Sequence, residues 1–342
     1  MRFSALTLLV LMFGLTTSGV QAQTEVAKYG GEFMATGFGS RALAMGGASV
    51  AIAGDVSAAY WNPAGLMGMD YPEIGLMHEQ RFGGLLSYNY GGVAWPFGPR
   101  YTLALSVTRM GVDDIPDTRG ALIDLNGNGQ LDPHERLDPS RINSFSTADW
   151  VAYLTYAFQT NSRLALGVNL KLISRDLLDA SAMGVGFDIG ALYRATEALS
   201  LGATVQDVTT TLMAWSTGRN ELVSPTLKLG AGYGIKALGG TITPALDFDL
   251  MFENRRFAST FHVGAVSINP RAGLEYRFRD LFALRAGYSD TQDLTFGAGI
   301  HLPKLYLDYA FGQNDLFTEF KDASHRISLR VVLEETQFSR KK

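Results

Sequence analysis

What most restricts this chain is a repeat: segments of about ten residues in which apolar and polar side chains alternate, separated by turn residues. In TITPALDFDLMF, residues 241–252, Ile242, Leu246, Phe248, Leu250 and Phe252 share one face; Thr241, Thr243, Ala245, Asp247 and Asp249 share the other. RLALGVNLK splits the same way, with Leu164, Leu166, Val168 and Leu170 opposing Arg163, Ala165, Gly167, Asn169 and Lys171. LKLGAGYGIK sets Leu227, Leu229, Tyr233 and Ile235 against Lys228, Gly230, Gly232, Gly234 and Lys236. Beyond the N-terminus no stretch reaches the roughly 18 consecutive apolar residues of a spanning helix. Strands, not helices, must carry this chain.

Alternation alone does not separate a soluble sandwich from a membrane barrel, because both bury one face of each strand. Three features favour the barrel. The segments run on almost to the C-terminus, about fourteen in all, an even number of the kind membrane barrels use. Aromatic residues gather near segment ends, at Tyr101, Phe158, Tyr193, Tyr288, Tyr309 and Phe311, as in interfacial girdles. The polar faces carry both signs of charge, at Lys171, Asp188, Lys228, Asp247, Asp249, Glu275, Arg277, Arg285, Asp308, Arg326 and Arg330, which suits a crowded lumen where ions pair. Each charge reads as half of a structural pair before it reads as a substrate contact. The expected fold is all-β, a 14-stranded antiparallel transmembrane β-barrel spanning residues 71–335, with a tail over 336–342.

Pro244 interrupts one of the best segments, and proline inside a closed sheet removes a ladder donor. A bulge near the rim accounts for it best; a lateral opening toward lipid is the functional alternative.

Residues 1–22 have the form of an export signal: basic Arg2, an apolar stretch from Leu6 to Leu15, and Val20 and Ala22 before the expected cut. The chain has no cysteine, which excludes disulfides, N-terminal lipidation and thiolate chemistry. A net charge of −4 gives no basic footprint for nucleic acid.

Residues 23–70 precede the barrel and are rich in Gly and Ala between 39 and 68. Asp55 can cap a short helix over Ala58 to Tyr60, and Pro63 forces Asn62 out of helical geometry. Small residues permit close backbone approach, so this segment is expected to pack inside the lumen as a hatch. Arg41, Ala42, Met45, Gly46, Gly47, Ala48, Asp55, Ala58, Tyr60, Trp61, Asn62, Pro63, Ala64, Gly65 and Leu66 resemble the N-terminal signature of the PorV/PorQ branch of FadL-like outer-membrane proteins. The segments STFHVGA, LFALRAGYSD, LTFGAGI, LYLDYAF and HRISL are similar to that family's C-terminal half. The resemblance implies an integral outer-membrane barrel obstructed by a hatch, with Arg41, Gly46, Gly47, Asp55, Trp61, Asn62, Pro63 and Ala64 as its motif. It implies two functions: receipt or shuttling of secreted cargo C-terminal domains beside type IX secretion proteins, or FadL-like passage of long-chain fatty acids and other hydrophobic compounds. The secretion reading comes first, and a passive porin is disfavoured because the hatch obstructs an open path. The sequence departs from the simpler members in an insertion over residues 113–144 and a lengthened VSINPRAGLEYRF.

The five histidines are scattered without zinc spacing, and no GxSxG elbow or phosphate loop occurs. No enzyme is expected. The insertion, however, holds DLNGNGQLDPHE, in which Asp124, Asn126, Asn128, Gln130, Asp132 and Glu135 occupy positions 1, 3, 5, 7, 9 and 12 of a calcium loop, with Gly129 at the turn. Pro116 and Gly120 upstream and Pro139 downstream deny it the two helices of a sensor. The expectation is a structural Ca²⁺ clip between the third and fourth strands, with affinity on the order of 10⁻⁴ to 10⁻³ M.

Overall fold

The computed structural model describes residues 23–26, 31–252, 259–289, 294–314, 322–335 and 338–340. The export signal lies outside them. Fourteen wall strands run antiparallel in sequence order: β1 (Glu73–Arg81), β2 (Leu86–Phe97), β3 (Tyr101–Asp117), β4 (Asn143–Gln159), β5 (Leu164–Leu177), β6 (Ala180–Arg194) and β7, which is Leu199–Gln206 resumed as Thr211–Trp215. β8 is Arg219–Val223 resumed as Thr226–Tyr233 and Ile235–Ala237, followed by β9 (Gly240–Met251), β10 (Val266–Phe278), β11 (Phe282–Tyr288), β12 (Leu294–Leu302), β13 (Leu305–Asn314) and β14 (Asp322–Val332). β1 pairs with β14 from Glu73↔Val332 to Gln80↔His325, so the sheet closes on itself and leaves no edge.

The period-two pattern decides which side of the wall each residue meets. Leu246 and Phe248 are exposed on the outside while Asp247 and Asp249, which alternate with them, are buried. Leu76, Leu105, Leu154, Phe187, Leu284, Phe296 and Leu307 extend the apolar outer belt around the circumference, as a lipid-facing surface requires. Tyr101, Tyr156 and Phe158 stack at the belt's edge, with ring centroids 5.9 and 5.7 Å apart.

One end of the barrel is closed by turns of two to four residues, at 98–100, 160–163, 195–198, 238–239, 279–281 and 303–304. The opposite end carries the insertion between β3 and β4. Those strands stay paired outward to Asp117↔Asn143 after a register shift between Val112 and Ile115, so the free insertion is 118–142, narrower than the expected 113–144. Pro244 pairs in register with Leu274 of β10; its missing donor faces the interruption of β8 between Tyr233 and Ile235. The wall is continuous on the β10 side, and the irregularity lies near the short-turn rim.

The N-terminal segment enters at the long-loop end, where Gln23–Val26 pairs in parallel with Arg219–Leu222 of β8. It then descends the lumen through α1 (Glu32–Ala35), α2 (Ser40–Ala44), α3 (Ala58–Trp61) and a 3₁₀ turn over Pro63–Gly68. It leaves at the short-turn end to start β1.

Candidate functional site

The hatch fits the lumen because the inner wall is notched by glycine. A Cβ at Gly167 would overlap Pro63 and Ala64; at Gly190, Asn62; at Gly202, Val50; at Gly273, Met45; and at Gly287, Met45 and Gly46. Each position points inward in the strand alternation, and removing its side chain lets the hatch backbone lie against the wall.

Hydrogen bonds then fix the seat. Asp247 Oδ2 accepts the backbone N–H groups of Ser49 and Val50 at 2.7 and 2.8 Å. Arg41 Nε and Nη2 donate to Glu275 Oε2 and Oε1 at 2.9 and 3.0 Å, a bidentate pair. Gly46, at φ 65°, donates its N–H to Thr295 Oγ1, whose hydroxyl donates to the Ala44 carbonyl. Gly47, at φ 77°, packs where a side chain would meet Arg271 and Trp61. Trp61 Nε1 donates to the Phe38 carbonyl at 2.8 Å.

Asn62 ties three segments: Nδ2 donates to Val50 O and to Ala191 O of β6, and Oδ1 accepts the Ala64 N–H. The Asn-Pro-Ala turn is therefore a structural joint. Asp55 works one step away from the expected place. Its carboxylate takes the Ser57 N–H and hydroxyl, while Ser57 itself is the N-cap residue of α3. The helix ends at Asn62, extended at φ −161° before Pro63, as expected.

Several lumen charges pair with one another. Lys171 bridges Asp188 at 2.8 Å and Asp207; Arg285 bridges Glu275 and Asp308, each at 2.7 Å; Arg330 meets Glu73 at 3.0 Å. On the other side of the lumen the hatch packs on an apolar surface, where Phe38 stacks on Tyr90 with centroids 4.0 Å apart and Tyr60 meets Tyr153 edge-on. Toward the long-loop end lies a cavity of about 80 Å³ whose lining mixes charged groups, Lys171, Asp188, Asp207, Lys228 and Asp249, with Tyr60, Met34, Val223 and Met251. Lys228 lies 5.2 Å from the Tyr60 ring centroid and 3.8 Å from Asp249.

Two participants escaped sequence reasoning. Asp207 reaches the lumen because the chain kinks between the halves of β7, with Asp207 at φ 57° and Thr209 at φ 67°; the turn-like QDVTT was the available signal. Arg340, in the C-terminal tail, folds back onto the hatch. It donates to Met69 O and Leu66 O and to Thr102 Oγ1, closing the short-turn end of the hatch. Phe338 packs edge-on against Trp95.

In the insertion, Leu122–Ile123 and Arg136–Leu137 form a two-stranded ladder in place of flanking helices. Between them Asp124 accepts N–H groups from Asn126, Gly127 and Gly129. Asn126 and Asn128 side chains accept from Asn128 N and Gln130 N and donate to Asp132 Oδ2. Glu135 accepts from Leu125 N and Asp132 N. The hydrogen bonds of Gly129, Gly127 and Asn126 hold the Asp124 carboxyl below its usual range. Among the described residues no three acidic or imidazole side chains gather closely enough to hold a metal by themselves; a cation here needs the two asparagines and the Gln130 carbonyl as well.

Residues 145–331, more than half of the chain, match the family described as type IX secretion system membrane protein PorP/SprF. The chain belongs to that PorP/SprF family. The match starts inside β4 and ends in β14, so the hatch and the insertion of this PorP/SprF protein lie outside it. The family shown is thus PorP/SprF, whereas the sequence resemblance ran to PorV/PorQ through the hatch residues and the C-terminal segments from STFHVGA to HRISL.

The barrel resembles solved membrane channels. The Ralstonia pickettii toluene transporter TbuX is 14% identical with a TM-score of 0.58, over 86% of this chain and 98% of that one. The P. putida toluene transporter TodX is also 14% identical, at 0.57, over 87% and 99%. A Pseudomonas aeruginosa FadL homologue is 12% identical, at 0.53, over 86% and 98%. At such identity these likenesses establish the FadL-like fold of the PorP/SprF chain and nothing about its substrate. Comparison with curated proteins gives no match.

Proposed function

We propose that this barrel sits in the outer membrane as a sealed component of type IX secretion, binding secreted cargo or partner proteins at its long-loop, outward-facing rim while the hatch stays seated. The observation that carries this reading is the hatch itself, notched into wall glycines and bonded to wall side chains around the lumen. Family membership supports the secretion role, and the PorV/PorQ-like signature over residues 41–66 supports cargo handling. A strain lacking the protein, assayed in parallel for secretion of C-terminal-domain cargo and uptake of labelled fatty acid, tests it. Lost secretion with normal uptake is expected; lost uptake with normal secretion overturns it.

The alternative is a FadL-like path for hydrophobic compounds, favoured by the likeness to toluene transporters. Against it stand the buried Lys171, Asp188, Lys228 and Asp249 in the lining of the cavity beside Tyr60, charged neighbours that disfavour an apolar solute even though Met34, Val223 and Met251 share the lining.

Calcium completes the proposal. Asp124, Asn126, Asn128, Gln130, Asp132 and Glu135 hold one ion that stiffens the rim insertion. The spacing supports this, as does a loop already folded with Gly127 and Gly129 at positive φ.

A further inference from the structure

Between the hatch and the wall, toward the long-loop end, lies a second cavity of about 150 Å³. Its lining includes three arginines from three strands or their ends, Arg81, Arg271 and Arg326, with Thr36 on the hatch, Ser289 after β11, and one acid, Glu32. Arg271 is spoken for, since its Nε and Nη2 lie 3.0 and 2.9 Å from Asp249 Oδ2. Arg81 and Arg326 share a single carboxylate oxygen, Glu79 Oε1, at 2.5 and 2.8 Å.

Arg326 is the anomaly. Its side chain is fully buried, yet among the described residues Nε, Nη1 and Nη2 have no hydrogen-bond acceptor; Nη2 approaches Glu79 Oε1 off the line of a hydrogen bond. A guanidinium does not shed its proton, and a buried charge with unanswered donors is costly. Glu79 itself does not line the cavity, whereas Arg326 does. An occupant that answers Arg326 brings several acceptor oxygens.

We propose that this cavity binds one small tetrahedral oxyanion of the phosphate type, held by Arg326 with Arg81 and clamping the hatch to β1 and β14. A planar guanidinium presents paired donors that fit two oxygens of such an ion. The volume admits a small ion with its water and excludes a long acyl chain. This site is independent of cargo binding and of the calcium loop.

The test uses full-length purified protein in detergent at low ionic strength, with inorganic phosphate as the probe and sodium chloride and sodium acetate as controls. Calorimetry and thermal unfolding are expected to show saturable 1:1 phosphate binding and a raised Tm, with neither control producing the shift. Arg326→Gln is expected to weaken binding by about tenfold or more. Arg81→Gln, nearer the rim, is the second variant; its circular dichroism is checked for native β content, and it too is expected to lose affinity. Water as the sole occupant, seen as no saturable phosphate binding by the native protein, overturns the proposal. So does equal phosphate binding by native protein and a folded variant of either arginine, or a response to acetate alone.

Discussion

Arg41 of the hatch meets Glu275 of the wall through two parallel hydrogen bonds, 2.9 and 3.0 Å long. Glu275 is almost wholly buried and is shared with Arg285, so the hatch is tied directly into the wall's own charge network. Removing the carboxylate takes the bidentate partner from Arg41 and leaves Arg285 with Asp308 alone of its two acids. Glu275→Ala should therefore destabilise hatch docking by about 3–5 kcal/mol, the cost of breaking a buried pair from one side. Hydrogen exchange over residues 40–68 is the measurement; it should accelerate there while the strand amides of β1–β6 stay protected.

The glycine notches predict a position-dependent penalty for a single methyl group. Gly202→Ala places a Cβ on the Val50 carbonyl and Gly287→Ala places one on the backbone of Gly46, whereas Gly91→Ala meets only Leu76 Cδ2 at 3.6 Å. The first two should cost about 1–3 kcal/mol by overpacking and give conductance steps in planar bilayers that the native protein lacks. Gly91→Ala should behave as native.

Arg340 caps the last turn of the hatch by donating to the Met69 carbonyl and to the Leu66 carbonyl, which also accepts the Met69 N–H. Arg340→Ala should loosen residues 63–70 by about 1.5–3 kcal/mol, the range for hydrogen bonds to a charged group. The readout is faster hydrogen exchange confined to that stretch, with barrel assembly unchanged.

Much of this was available from the chain alone, because a period of two fixes which side of a wall each residue faces: Asp247 and Phe248 could be assigned to lumen and lipid without coordinates. The small residues between Gly39 and Gly68 likewise announced a segment that something else must enclose. Which glycine receives which hatch residue was not available, since Gly202 and Val50 meet across a distance that no local pattern encodes. Arg340 shows the same limit from the other side. Nothing in the tail's own sequence places the carbonyls of Leu66 and Met69 within its reach.

The calcium clip carries a pH prediction with a definite sign. Asp124 is held as a carboxylate by N–H donors in the folded loop, so its folded pKa lies below the unfolded value of about 3.9. Its contribution to loop order is complete above that value and disappears as pH falls through the lowered one. Calorimetry should show calcium binding at neutral pH on the order of 10⁻⁴ to 10⁻³ M, lost in Glu135→Gln and lost on acidification below the carboxylate range. Equal calcium responses from native protein and Glu135→Gln would reject the site.

The claim that the hatch stays seated while the rim does the work is tested most directly by locking it. Ser40 Oγ on the hatch lies 2.8 Å from Ser328 Oγ on β14, and the chain has no cysteine of its own, so the double substitution Ser40→Cys and Ser328→Cys offers a single cross-link between hatch and wall. Cargo secretion is measured in a deletion strain complemented with this variant, oxidised and then reduced. The oxidised, cross-linked protein should support secretion at the native level; secretion lost on oxidation and restored on reduction would contradict the account.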